Sequence, residues 1–228
     1  MRYIFALWKP NGESPGWSNE YSPEWGDRLA RSIRRHNPDA EIVTITDYDK
    51  EDFGEDIECH EFLYGSRDWS SMMELYRPEI VKDRAILVGL DTICTGDLED
   101  IDDLVLHDGY CHIMPLDPYF SPKTCNGVVG VNFGTSQEIW FNWTAKAARG
   151  ARDSEEYRMF GRFSEMVYLR KNAKASDLWD EVAPGQVLSY KVHVRPARHL
   201  PERAKLVYFH GTPKPQQIKD DWLEEHWA

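Results

Sequence analysis

Ala85-Ile86-Leu87-Val88-Gly89-Leu90-Asp91-Thr92 runs on into Gly96-Asp97-Leu98-Glu99-Asp100-Ile101, and the first half of this stretch decides the fold. A short aliphatic run bounded by Gly and Asp has the pattern of a strand buried on both faces of an α/β sheet. Ligands of open α/β sheets bind in the crevice outside the carboxyl ends of the strands, and Asp91 stands at such an end. A carboxylate there is placed to hold a metal or a phosphate. Asp91-Thr92 also suits a simple turn, in which Asp hydrogen-bonds its local backbone.

Working outward, the chain alternates strands and helices. Residues 2–8 read as a first strand and residues 9–22, rich in Pro, Gly, Asn and Ser, as a long loop. Ser22 as N-cap, Pro23 in the first turn and Glu24 beside it start a helix running to about Asn37-Pro38. Trp25, Leu29 and Ile33 form its inward stripe, and residues 41–46 form a β-branched strand ending at Asp47. Further strands are expected at 57–62, 84–88, 110–114 and 127–131, with the proline-bearing loop 117–123 between the last two. Helices are expected at 67–76, 137–148 and 155–171, and late strands or loops folding back over the site at 187–194 and 205–209. No internal repeat or linker divides the chain, so the expectation is one α/β domain over residues 1–228 with a Rossmann-like mixed sheet flanked by helices.

Gly89-Leu90-Asp91-Thr92-Ile93 resembles the D-x-D strand of GT-A glycosyltransferases, especially the glycogenin-like family eight and its bacterial and phage relatives. The first Asp of that pair is Gly89 here. Near the C-terminus, Tyr208-Phe209-His210-Gly211-Thr212-Pro213-Lys214-Pro215 is similar to the H-F-x-G-x-x-K-P segment that closes over the nucleotide diphosphate in those enzymes. The metal-binding His of that segment falls on Tyr208, and His210 is the available imidazole. Weaker similarities lie in residues 69–78, where Met72 stands at a position often Lys, in Asn126-Gly127-Val128-Val129, which resembles an Asn-Ser-Gly strand lining a sugar pocket, and in residues 184–191.

The resemblance implies sugar transfer from a nucleotide diphosphate donor, a UDP-sugar first among them, with retention of anomeric configuration. It implies a divalent Mn²⁺ or Mg²⁺ held by Asp91 and His210, which would act as a Lewis acid on the leaving diphosphate. Lys214 would add fixed charge, Gly211 close backbone approach, and Thr92 a further contact beside Asp91. Asn126 is a candidate for the sugar hydroxyls, and Glu165, aligned where the family carries an Asp-Gln pair, for positioning sugar or acceptor. By analogy with the fold, Leu7, Trp8, Lys9 and Asp47 are candidates for base and ribose contacts. The acceptor is expected to be a saccharide or small molecule. A binding-only relative and a phage-type transferase acting on modified nucleic-acid bases are the alternatives.

Composition sets bounds on these readings. The 228 residues hold 41% hydrophobic and 13% aromatic side chains with nine Trp, a folded globule's composition. The net charge of −12 counts against nucleic acid as main partner, since phosphate gripping relies on Lys and Arg patches. Arg28, Arg31, Arg34 and Arg35 read as the solvated face of one helix, and Asp97, Glu99, Asp100, Asp102 and Asp103 as a solvated, dipole-favoured helix start. Cys59, Cys94, Cys111 and Cys125 show no C-x-x-C spacing. With neither a signal-peptide pattern after Met1 nor a run of membrane-span length, the expectation is a soluble, reduced, cytoplasmic protein with its cysteines in the core.

Overall fold

The computed structural model describes residues 1–12, 14–107, 109–147, 149–173 and 176–227. Its strands are β1 (Arg2–Leu7), β2 (Glu41–Thr46), β3 (Glu58–His60), β4 (Arg84–Val88), β5 (Thr92–Cys94), β6 (His112–Met114), β7 (Val128–Asn132), β8 (Arg158–Met159), β9 (Arg162–Phe163), β10 (Asp177–Leu178), β11 (Val187–Ser189) and β12 (Leu206–Tyr208). A seven-stranded sheet has the spatial order β10, β6, β7, β4, β1, β2, β3. β1 runs parallel to β2 and β4, whereas β7 is antiparallel to β4 and β6.

β1 shows why the sheet is covered on both faces. Tyr3, Phe5 and Leu7 join one buried cluster, which includes Trp25, Leu29 and Ile33 of helix α1 (Pro23–His36). Ile4, Ala6 and Trp8 point the other way, into a cluster with Trp140 and Trp143. The two-residue strand period sends alternate side chains to opposite faces. Each large apolar side chain so buried contributes roughly 1.5–3 kcal/mol. The helices beyond α1 are α2 (Pro78–Val81), α3 (Glu99–Leu106), α4 (Phe133–Ala147) and α5 (Glu165–Asn172).

Two registers bring distant segments to the end of β4. Val88 pairs with Val128 across the antiparallel β4–β7 ladder, which lays Asn126-Gly127 beside Gly89-Leu90-Asp91. In a second, three-stranded sheet, β12 is antiparallel to β5 with Tyr208 opposite Thr92. The Phe209 N–H donates to the Asp91 carbonyl at 3.2 Å, so residues 209–214 leave β12 next to Asp91.

Several expectations change in the folded chain. The helix expected at 155–171 is broken, because Phe160 and Gly161 take positive φ (54° and 76°) and turn the chain between antiparallel β8 and β9. Only α5 remains, opened by Ser164, whose side chain accepts from the Val167 N–H. Residues 69–76 form a 3₁₀ rather than an α-helix, capped by Asp68. Ser22 precedes α1 without a side-chain cap bond; Pro23 at its first turn sets the start. The strand expected at 187–194 ends at Ser189, and a π-helical turn follows. Asp102 is not solvated: Tyr3 donates to it at 2.5 Å and Asn37 at 2.6 Å, and burial raises its pKa. Cys111 is exposed and Cys59 half-buried, so only Cys94 and Cys125 belong to the core. Ala148, the expected end of the fourth helix, and Glu13, within the first loop, lie outside the described residues. Among the described residues, no helix is long and apolar enough to cross a membrane.

Candidate active site

A cavity of about 550 Å³ opens at the carboxyl ends of β1 and β4. Of the residues singled out in the sequence, Leu7, Trp8, Asp91, Asn126, Glu165, His210, Gly211 and Lys214 line it together. Lys9, Asp47 and Thr92 are not part of its lining. Asp47 lies past the end of β2, where it accepts from the Lys9 backbone N–H at 2.6 Å and pairs with Arg67 at 2.7 Å. The Lys9 amine sits over the Tyr48 ring, 5.1 Å from its centroid. Thr92 is buried in β5.

One group of lining side chains gathers around Asp91. Its Oδ2 takes the Lys214 ammonium and the Tyr21 hydroxyl, the latter at 3.0 Å. Lys214 is buried, and its backbone N–H donates to the Gln217 side chain at 2.8 Å, which holds the turn after Gly211. Gly211 has φ +61°, a conformation suited to residues without a Cβ. Burial, reinforced by Lys191 and Lys214 and opposed by Asp91 and Asp117, lowers the His210 pKa. Its Nε2 lies 2.7 Å from the Ser189 hydroxyl.

A second group centres on Glu165, at the first turn of α5. Asn126 donates its amide to Oε1 at 2.9 Å, while Oε2 is buried without a hydrogen-bond partner among the described residues. Burial, outweighing the Asn126 hydrogen bond, pushes the carboxyl up to about 7. Near neutral pH this group exchanges a proton and can serve either as donor or as acceptor, a tuning common at catalytic carboxyls. The bond to Asn126 joins two candidates that lie 39 positions apart in the chain.

Sequence reading missed the aromatic walls. Trp17, Tyr21, Trp69, Tyr119 and Phe120 also line the cavity, and the Trp17 and Trp69 rings lie 4.9 Å apart. Trp17 and Tyr21 come from the loop 9–22, whose composition signals a turn but not a binding wall. Tyr208 packs over Gly127 so closely that a Cβ there would stand 2.5 Å from its ring. A pair of residues 81 positions apart thereby explains why Gly follows Asn126: only hydrogen fits under that ring.

The architecture and the site now stand beside known structures. The galactosyltransferase LgtC, in complex with donor and acceptor sugar analogues, superposes with a TM-score of 0.63 over 96% of this chain and 91% of that one, at 11% identity. The chain has the GT-A glycosyltransferase fold. The glycosyltransferase GlyE of Streptococcus pneumoniae TIGR4 gives 0.64 at 17% identity, over 98% of this chain but 59% of that one. A glycosyltransferase involved in glycosylation of the major capsid of PBCV-1 gives 0.56 at 12% identity, covering 98% of both chains. No protein-family model and no curated protein matches the sequence.

The divalent ion that the GT-A resemblance implies does not fit the donors present. Asp91 spends Oδ2 on an ammonium and a hydroxyl, His210 faces Ser189, and Tyr208 is a buried aromatic side chain. Gly89 supplies no second carboxylate, and a Cβ at that position would come within 3.0 Å of Asp91 Oδ1. Among the described residues no group of three or more His, Cys, Asp and Glu side chains gathers to hold a metal. Hard divalent cations are held by converging oxygen ligands, whereas here a positive side chain already contacts the Asp91 carboxylate.

Proposed function

We propose that the protein is a glycosyltransferase that moves a sugar from a nucleoside diphosphate donor, with UDP-sugars the first candidates, to a saccharide or small-molecule acceptor. The observation that carries this reading is the presence, in the lining of one cavity within a GT-A fold, of a buried ammonium at Lys214 and a buried carboxyl at Glu165 with one oxygen unpartnered among the described residues. The LgtC structure holds donor and acceptor sugar analogues, and a cavity of about 550 Å³ falls in the range of small-molecule sites.

In this reading the leaving diphosphate lies toward Lys214 and Gly211, where positive charge stabilises the negative charge that grows as the glycosidic bond breaks. The aromatic walls, with Trp8 and Trp17 on the nucleotide side, present flat apolar faces to base and sugar. Glu165, held by Asn126, meets a sugar or acceptor hydroxyl and carries a proton near neutral pH. Retention of configuration is part of the proposal and is read from the anomeric proton of the first product.

The test is incubation of the protein with UDP- and GDP-sugars, following release of the free nucleoside diphosphate alone and with mono- and disaccharide acceptors. Saturable release of one nucleotide, accelerated by an acceptor, is the expected result. Saturable binding without release would assign a binding-only role, which the replaced D-x-D residue Gly89 favours. The absence of both would overturn the donor reading.

A further inference from the structure

We propose that the cation facing the donor diphosphate is the Lys214 ammonium with Lys191 beside it, and that Asp91 positions this ammonium instead of ligating a divalent ion. The inference rests on the donor reading above and names the charge that serves it.

The first observation is the engagement of Asp91. The Lys214 ammonium and the Tyr21 hydroxyl converge on Oδ2, and both Asp91 and Lys214 are buried. Charge-assisted contacts of this kind, partly removed from water, are about twice as strong as neutral ones. A divalent ion approaching Asp91 meets a like charge already in contact with the carboxylate, and it must displace that charge to bind. Gly89 offers no second carboxylate to offset the displacement.

The second observation is the placement of Lys191. A Cβ built on Gly211 would stand 3.2 Å from the Lys191 amine, so that amine occupies the space the glycine leaves open above the turn. Burial first, then the charges of Lys214 and Arg195, lower the Lys191 pKa, and the same two lysines depress His210. The Lys191 amine thus stands beside the Gly211 turn that leads to Lys214, in a chain whose net charge is −12. Like charges held near one another create a local positive potential that focuses an anion. A diphosphate between Lys214 and Lys191 relieves their repulsion, and each ammonium serves it as a compact point charge with several donors.

The experiment is calorimetric titration of the full chain with UDP, and separately GDP, in EDTA, in Mn²⁺ and in Mg²⁺ at constant ionic strength. The expected result is binding of one nucleotide in EDTA, with an affinity that either metal changes by less than about threefold. Lys214→Met is expected to weaken binding by about tenfold or more, as loss of a hydrogen bond to a charged group does, without rescue by Mn²⁺. Lys214→Arg keeps the charge and restores part of the affinity. Circular dichroism controls for folding of the Lys214 variants. Lys191→Met, at a more exposed position, carries the test independently and is expected to weaken binding by a few-fold.

Asp91→Asn separates positioning from metal ligation. It is expected to hold or tighten UDP affinity in EDTA, because a negative charge leaves the diphosphate site, while kcat falls because the ammonium loses its anchor. Binding abolished by EDTA and restored by Mn²⁺ would overturn the inference and leave the donor site standing. A folded Lys214→Met that binds as tightly as wild type would overturn it too. Binding of neither nucleotide under any condition would overturn both readings.

Discussion

Asp91, at the turn after β4, and Glu165, at the start of α5, both line the cavity, yet the fold surrounds them with opposite partners. Asp91 receives an ammonium and a hydroxyl on one oxygen. Glu165 accepts the Asn126 amide on one oxygen, and its other oxygen has no hydrogen-bond partner among the described residues. A carboxylate in contact with an ammonium holds that neighbour in place, whereas a dehydrated one tends to keep its proton and to pass it on. In the proposed reading one side-chain chemistry supplies both an anchor for the ammonium that faces the diphosphate and a titrating group that faces sugar or acceptor, and environment divides the roles.

The contrast is most exposed to a test at Glu165. Glu165→Ala is expected to lower donor turnover by about a hundredfold or more, in line with loss of an acid–base group, while UDP affinity measured by calorimetry stays near that of wild type. A variant losing nucleotide affinity in proportion to turnover would erase the division of labour between the two carboxyl groups.

The next effect is on stability. The Glu165 carboxyl is raised from its ordinary 4.5 to about 7 by burial, so between those values the folded state binds more protons than the unfolded one. Its contribution is greatest below about 4.5 and declines as pH rises to about 7, beyond which the loss is complete. Glu165→Gln removes the charge that must be buried at high pH. Urea denaturation at pH 8 should show the Gln variant more stable than wild type by up to about 3 kcal/mol, with the advantage shrinking toward pH 5. An unchanged difference across that range would place no titrating carboxyl here.

At the other carboxylate, Asp91→Asn is expected to cost about tenfold in kcat with nucleotide affinity in EDTA held or improved, a split that steady-state kinetics beside calorimetry resolves. The smallest effect belongs to Tyr21→Phe, which deletes one hydrogen bond to Asp91. Such a bond is worth about 1 kcal/mol, so turnover should fall by only a few-fold with the pH profile unmoved. A larger loss would shift the anchoring of Asp91 from Lys214 to Tyr21.

Much of this arrangement is legible in the chain. Residues 41–46 and 84–88 read as strands and form β2 and β4 with the same bounds, because continuous aliphatic and β-branched runs bury in one way only. Trp25, Leu29 and Ile33 read as an inward stripe and are buried in α1. The break at Phe160-Gly161 was not legible, since it depends on two backbone torsions that the helical composition around it conceals. Thr92, Lys9 and Asp47 read as ligand contacts from their nearness in sequence to strand ends, but strand pairing and the Arg67 ion pair direct them elsewhere.

The sequence by itself determined the α/β order, the carboxylate after a buried strand and the Gly-Thr-Pro-Lys turn, because local pattern and backbone propensity act over a few residues. The partners those groups meet follow from the folded chain. Asp91 meets a lysine 123 positions away, Glu165 meets an asparagine 39 positions away, and the Gly211 turn meets Lys191. Charge pairing and desolvation depend on distance and dielectric in the folded chain, and neither quantity is carried by spacing along it.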